Sequence, residues 1–142
     1  MKPSIPCALI ALALASVPAR AELPAPIVPA GDPVRGEQLF VERRCYRCHT
    51  VEHADMPDFD LPAALKVHLG GTGHAQWSRD AYAQAIMNPD HVVAPQYQAA
   101  MQAAGDPGAA KETPMPNFNR ELVVSELIDL ATFLAARAPH LK

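Results

Sequence analysis

Apolar positions recur at helical spacing along the chain, whereas alternation of apolar and polar residues is almost absent. The clearest apolar stripe belongs to a helix predicted over about 123–137. Its members are spaced at i, i+3, i+4 and i+7: Leu127, Leu130, Ala131 and Leu134. The pattern therefore predicts an all-α fold.

Three further helices are predicted from the residues that begin or end them: Pro33 to about Arg44, Arg79 to about Met87, and Gln96 to about Ala104. Asp32 before Pro33 is typical of a helix start, and so is Ser78. Asn88-Pro89 ends the second of these helices. The connections are long and rich in Pro, Gly and Asp. Long loops around so small a core suggest that another group fills its centre.

The first 21 residues have the layout of a secretory signal peptide. Lys2 gives a positive start, residues 7–17 are apolar, and Ala19-Arg20-Ala21 is a small-x-small cleavage site. The apolar run is far short of the ~20 residues that a membrane span needs. We therefore expect cleavage after about Ala21, a periplasmic location and no membrane span in the mature chain. An uncleaved anchor is the alternative. Residues 22–31 form a proline-rich leader, and residues 32–142 form the domain.

Cleavage changes both the charge and the cysteine count. It removes Lys2 and Arg20, so 10 basic and 15 acidic residues remain and the net charge becomes −5. An acidic chain of this size does not fit nucleic acid electrostatically. Cys7 leaves with the signal, and the mature chain keeps Cys45 and Cys48.

The segment 45–49 reads Cys-Tyr-Arg-Cys-His, which is the C-x-x-C-H motif of covalent haem attachment. Cys45 and Cys48 are spaced to form thioethers with the two vinyl groups of one haem. The adjacent His49 is then held beneath the iron as its proximal ligand. Three alternatives exist: a dithiol redox site, a zinc site and a structural disulfide. A dithiol redox site usually accompanies a βαβ pattern, which this chain lacks. A zinc site needs a fourth ligand, and no recognisable spacing supplies one. A structural disulfide would not explain His49.

The second iron ligand is predicted at Met115. Pro114 and Pro116 flank it, and a methionine between prolines sits on an extended strap that cannot continue a helix. Such a strap, just before the last helix, suits the presentation of one thioether to a metal. The alternatives are a methionine that only fills the core, other thioethers, or a histidine giving bis-histidine ligation. These rival ligands are Met56, Met87, Met101, His68, His74 and His91.

Over residues 31–138 the chain resembles class I c-type cytochromes. The haem motif carries most of the likeness. Gly36 and Phe40 match the glycine and aromatic of the family's first helix, and Leu130 and Phe133 match the aliphatic and aromatic pair of its last helix. The resemblance implies a cytochrome c fold, in which these helices cross and the glycine allows close approach. It implies Met115 as axial ligand. It also implies that Trp77 bonds a haem propionate, although a core aromatic is the alternative.

Two features depart from that family. Its proline after the haem motif, whose carbonyl accepts from the proximal histidine, has no clear match; we expect Pro62, with Pro57 as the alternative. The segment 96–114 is also longer than the family's usual connection to the methionine.

A six-coordinate haem has no open site, so the expected function is one-electron transfer and not enzymatic catalysis. The protein would be a free shuttle or the cytochrome subunit of a periplasmic dehydrogenase. Its partners would be redox proteins: a dehydrogenase, an oxidase or another cytochrome. A peroxidase-like enzyme and a haem-based sensor are the alternatives.

A basic cluster of Arg43, Arg44 and Arg47 stands beside the haem motif in this acidic chain. The cluster either docks an acidic partner or only complements a helix end.

Overall fold

Four α-helices and one pair of very short strands make up the computed structural model, which describes residues 27–62, 65–74 and 77–137. In chain order the elements are α1 (Pro33–Glu42), β1 (His49–Val51), β2 (Val67–Leu69), α2 (Arg79–Met87), α3 (Pro95–Ala103) and α4 (Val124–Ala136). Four 3₁₀ turns connect them: Cys45–Arg47, Thr72–His74, Pro89–His91 and Ala109–Lys111. The predicted signal peptide, 1–21, lies outside the described residues.

The helix ends follow the signals in the sequence. The Asp32 carboxylate accepts from the first free amides of α1, those of Val34 at 2.8 Å and Arg35 at 3.2 Å. The Ser78 hydroxyl accepts from the Ala81 amide at 3.2 Å and caps α2 in the same way. All four predicted helices are confirmed, with ends that differ by no more than two residues.

Helices α1 and α4 cross at a glycine. A Cβ placed on Gly36 would lie 2.7 Å from both the Asp129 carbonyl carbon and the Phe133 Cβ, so only glycine permits this approach. Next to it, the Phe40 and Phe133 rings meet at a tilt with centroids 5.8 Å apart. The expectation that these two helices cross through a small residue is confirmed.

Polar contacts hold both ends of this crossing. The Asp32 amide donates to the Asp129 carboxylate at 2.8 Å, near the start of α1. At its other end, the Arg43 Nη2 donates to both carboxylate oxygens of Glu126 at 2.9 and 3.0 Å. The angle between α1 and α4 is therefore held at two points, and the haem motif follows directly from the second.

Residues 27–31 of the predicted leader are attached to the domain. The amides of Ile27 and Val28 donate to the Asp80 carboxylate at 3.0 and 2.6 Å, and the Gly31 amide donates to the Thr132 hydroxyl at 2.8 Å. This part of the leader therefore packs on α2 and α4.

The strands β1 and β2 pair in parallel, with His49 opposite Val67 and Val51 opposite Leu69. The sequence analysis did not predict them. Each strand has three residues, too few for a visible alternation, and a loop joins them. Their pairing brings the end of the haem motif against a segment about 18 residues later.

The apolar core lies between α1, α2 and α4. Its buried members are Leu39, Phe40, Val51, Tyr82, Ala83, Ile86, Leu130, Ala131, Phe133 and Leu134. Helix α3 has no buried residue. Among the described helices, none is long and apolar enough to cross a membrane.

Candidate functional site

The haem motif lies on a tight turn that begins where α1 ends. Arg44 adopts a left-handed conformation, with φ of 59°, and turns the chain into the 3₁₀ segment Cys45–Arg47. Cys45 and Cys48 are both half-buried and not bonded to each other. Burial raises the pKa of the Cys45 thiol to about 11, so this sulfur is a neutral thiol in an apolar setting.

His49 lies at the start of β1 with its ring nitrogen Nδ1 buried. Burial lowers the pKa of His49 to about 4, which keeps the imidazole neutral and able to bind a metal through Nε2. The backbone of Val67, its partner in the parallel pair, opposes part of that decrease in pKa. In the described structure, His49 Nδ1 has no partner at hydrogen-bond geometry.

Pro62 is the expected acceptor for this nitrogen. It is exposed, and its carbonyl accepts from the Leu65 amide at 2.8 Å. The alternative, Pro57, is also exposed and lines a third, smaller cavity that Cys48 and His49 line as well. The parallel pairing of β1 with β2 places Val67 opposite His49, which makes the Val67 carbonyl a second candidate acceptor.

Two adjoining cavities of about 450 and 480 Å³ lie beside the motif. They share a wall, to which both the proximal histidine and the strap methionine belong: Arg43, Cys45, His49, Val67, Ala94, Thr113, Met115 and Phe118. Cys48 lines the second cavity but not the first. The structure thus brings Cys45, Cys48, His49 and Met115 around one space.

Met115 is held as the flanking prolines suggest. It is half-buried, it packs against the core, and its amide donates to the Thr113 hydroxyl at 3.2 Å. The rival thioethers of Met56, Met87 and Met101 line neither of the two cavities. Of the rival histidines, His68 and His74 line the first cavity, and the exposed His91 lines neither.

Trp77 lines the first cavity within an aromatic cluster. The His74 ring meets it edge-on at 4.7 Å between centroids, and the Tyr82 ring lies 5.2 Å away. His74 Nδ1 also donates to the Gly70 carbonyl at 3.2 Å. Trp77 therefore lines the cavity, and its bond to a haem propionate stays a prediction. The sequence analysis did not predict the role of Tyr82 in this wall.

The three arginines beside the motif differ in their surroundings. Arg43 is paired with Glu126, whereas Arg44 and Arg47 are exposed and line the second cavity. The Arg47 guanidinium lies 4.8 Å from the centre of the Phe59 ring. The predicted cluster thus consists of one arginine paired with a carboxylate and two exposed arginines.

These features fit a haem. The cavity walls are predominantly apolar, the thiols lie on one turn, and a neutral imidazole and a thioether line the same space. Within the described ranges, no three His, Cys, Asp or Glu side chains gather as a metal-binding group.

The family model for cytochrome c matches residues 33–137, a span that contains every described helix. The chain belongs to the cytochrome c family. No curated protein and no solved structure matches it significantly. The all-α class and the resemblance to class I cytochromes are confirmed.

This cytochrome family binds haem c covalently, and Cys45 and Cys48 have the spacing of its attachment motif. Family membership also supports haem-based electron transfer as the function, and an electron carrier in place of a catalytic enzyme. Two residues at the site, Val67 and Tyr82, were not predicted. The register of the strands would have identified Val67. Trp77 precedes α2, so helical spacing gave no signal that it shares a cavity with Tyr82.

Proposed function

We propose that this cytochrome c is an exported carrier of single electrons, with His49 and Met115 as the two axial ligands of its haem iron. The observation that carries the proposal is that His49, Met115 and Cys45 line both adjoining cavities. When bound, the haem supplies an iron that changes its charge by one electron. A thioether ligand opposite the histidine favours a high reduction potential.

The protein itself keeps the ligands in a usable state. Burial holds His49 as the neutral imidazole, and the prolines on both sides restrict the backbone of Met115. Two protein ligands leave no position open for a substrate. This ligand set therefore favours electron transfer over the peroxidase-like and sensor alternatives, both of which need an open site on the metal.

The orientation of the proximal imidazole is proposed to depend on the Val67 carbonyl, with Pro62 as the alternative acceptor. Val67 lies opposite His49 across the parallel strands, whereas the Pro62 carbonyl already accepts from the Leu65 amide. A hydrogen bond from Nδ1 to a carbonyl fixes which nitrogen faces the metal. Selective ¹³C labelling of each carbonyl in the reduced protein would show which carbon couples to the His49 Nδ1 proton.

Residues 1–21 are proposed to direct export to the periplasm, with cleavage after about Ala21. The partners are proposed to be other redox proteins: a dehydrogenase, an oxidase or another cytochrome. This cytochrome serves them as a free shuttle or as a subunit. Docking is proposed at Arg44 and Arg47, because both are exposed at the rim of the second cavity. Arg43 is left out of that surface, since Glu126 neutralises it.

Production in a host that exports and matures cytochromes c tests the proposal. The secreted protein should have the mass of the chain cleaved after Ala21 plus one haem, and it should undergo a reversible one-electron titration. Cys48→Ser should sharply reduce maturation because one thioether is lost. Cys7→Ser is the matched control and should leave the haem content of the secreted protein unchanged.

Two results would contradict the proposal. A colourless protein with a Cys45–Cys48 disulfide would show that no haem is attached. A reduced, unmodified protein that binds carbon monoxide rapidly would show an open iron and would favour the enzymatic or sensor alternative.

A further inference from the structure

The imidazole of His68 bridges two polar side chains on the outer side of the short parallel strands. Its Nδ1 lies 2.9 Å from the Thr50 hydroxyl, and its Nε2 lies 2.7 Å from a carboxylate oxygen of Glu52. Thr50 belongs to β1 and His68 to β2, whereas Glu52 follows directly after β1. These three side chains form a cross-strand bridge. Although His68 lines the first cavity, the bridge engages both of its ring nitrogens.

The chemistry of its partners determines how protons are placed in the cross-strand bridge. The pKa of Glu52 is lowered, chiefly by its hydrogen bond from His68, so this carboxyl is ionised near neutral pH and can only accept. His68 Nε2 therefore carries a proton and donates it to Glu52. In the neutral ring Nδ1 accepts from the Thr50 hydroxyl, and in the charged ring it donates to the hydroxyl oxygen. Both bonds thus form in either charge state of His68.

The cross-strand bridge fits one register of the two strands. Thr50 and Glu52 are two residues apart, so their side chains leave the same side of the extended chain. Thr50 lies opposite His68 in the pairing. A shift of β2 by one residue would turn His68 to the other face, and a shift by two would move it about 7 Å along the pair. In either case a ring nitrogen loses its partner.

This register matters because β1 begins with the proximal histidine. His49 lies opposite Val67, and backbone bonds close the pair at both of its ends. The Val67 amide donates to the Cys48 carbonyl at 2.8 Å, and the Glu52 amide donates to the Leu69 carbonyl at 2.9 Å. Strands of three residues form few such bonds and depend on pairs of side chains for stability. The cross-strand bridge therefore helps to hold the backbone that carries His49.

A glycine leaves room for the cross-strand bridge. A Cβ on Gly71 would lie 3.1 Å from the Glu52 carboxylate and 3.5 Å from His68 Nε2, at a φ of +58° that favours glycine. The other carboxylate oxygen of Glu52 lies 3.3 Å from Nε2 of His53, whose side chain is 83% exposed. That second contact joins two consecutive residues of the chain, so the contact that ties the strands together is the one with His68.

We propose that His68 is a positioning residue for the proximal ligand. By bridging Thr50 and Glu52 it fixes the register of β2 against β1, and through β1 it fixes the orientation of the His49 imidazole. This inference rests on the proposed function, in which His49 binds the haem iron.

His68→Phe in the haem-loaded protein tests the proposal, because it removes both bonds and keeps a planar ring of similar size. The amides of Val67 and Glu52 should exchange with solvent about fivefold faster, since two hydrogen bonds are lost. In NMR spectra of the oxidised protein the pattern of haem methyl signals should change, because it depends on the plane of the proximal imidazole. His68→Gln keeps a donor for Glu52 and should restore most of the original pattern.

His53→Asn is the matched control. It removes the other imidazole beside Glu52, and asparagine tolerates the left-handed φ of 54° at this position. The exchange of the Val67 amide and the haem methyl pattern should stay as in the unmodified protein. Changes as large as those in His68→Phe would show that charge near Glu52, and not the cross-strand bridge, controls the site, and the proposal would be wrong.

The outcomes separate this inference from the proposed function. If the unmodified protein contains no covalent haem by mass, the proposed function itself fails. If His68→Phe contains haem but its exchange rates and methyl signals match those of the unmodified protein, only the role of His68 is refuted. If His68→Phe does not mature, Thr50→Val decides, because it removes one bond and keeps a β-branched side chain. A smaller change in the same direction supports the proposal, and unchanged spectra refute it.

Discussion

Replacing Gly36 by alanine tests whether the approach of α1 to α4 determines the stability of this fold. Within a helix, alanine is favoured over glycine by about 1 kcal/mol. Here the new Cβ would be 2.7 Å from the carbonyl carbon of Asp129 and would also clash with its carbonyl oxygen. Both atoms belong to the backbone of α4, so the overlap cannot be relieved by a side-chain rotation and the helices must separate.

The cost of such overpacking is about 1–3 kcal/mol, and contact with backbone places it at the upper end. After the gain in helix propensity, we expect a net loss of about 2 kcal/mol in the free energy of unfolding. In a domain of this size, that corresponds to a Tm lower by about 10 °C.

Denaturant unfolding followed by far-ultraviolet circular dichroism would measure this loss on the haem-loaded protein. Gly108→Ala is the matched control, because its Cβ would meet only Asp106 Oδ1 at 3.4 Å and its φ of −69° suits alanine. The control should change the free energy of unfolding by less than about 0.5 kcal/mol. A Gly36→Ala protein as stable as the unmodified one would show that α1 and α4 have room to spare, and the reasoning would be wrong.

Three further predictions concern the ligand, the pH dependence and the docking surface. Met115→Ala should let the reduced iron bind carbon monoxide, and Met115→His should lower the midpoint potential. The control Met101→Ala should do neither. Visible spectra recorded during carbon monoxide and redox titrations will show these changes. The pKa of Glu126 is lowered, chiefly by its hydrogen bond from an arginine. Its contribution to stability should therefore be present above the ordinary value of 4.5 and disappear as the pH falls through the lowered pKa. Glu126→Gln should flatten that part of the curve of unfolding free energy against pH. Arg44→Glu combined with Arg47→Glu should slow association with an acidic redox partner at low salt and leave the midpoint potential nearly unchanged; an equal association rate would exclude this surface.

The helices of this fold could be predicted because their signals are local. Asp32 and Ser78 cap the helices that follow them, and the stripe that includes Leu130 and Leu134 shows which face of α4 is buried. Each of these features lies within a few residues of the element that it specifies. The haem motif is equally local, because the three residues that carry its chemistry lie within five consecutive positions.

The features that were not predicted depend on residues far apart in the sequence. Val67 faces His49 only because two three-residue strands pair across a long loop, and no local pattern indicates that register. Arg43 and Arg44 look equivalent in the sequence, yet the turn of α1 directs the first toward Glu126 and leaves the second exposed. The choice of Pro62 as acceptor stays a prediction, because the acceptor is a backbone oxygen that any residue can supply and residue type alone does not identify it.

The long segment before Met115 shows why an insertion need not disturb the ligand. Its two ends lie on the cavity wall, where Gln96 donates to the Lys66 carbonyl at 3.4 Å and the Thr113 amide donates to the Asp90 carboxylate at 2.9 Å. Its middle, residues 102–108, is exposed throughout. Because the free-energy cost of closing a loop grows only slowly with its length, extra residues between fixed ends change little. The position of Met115 is therefore determined by the bonds at Thr113 and the flanking prolines, and the length of α3 and its following turn can vary independently of the haem site.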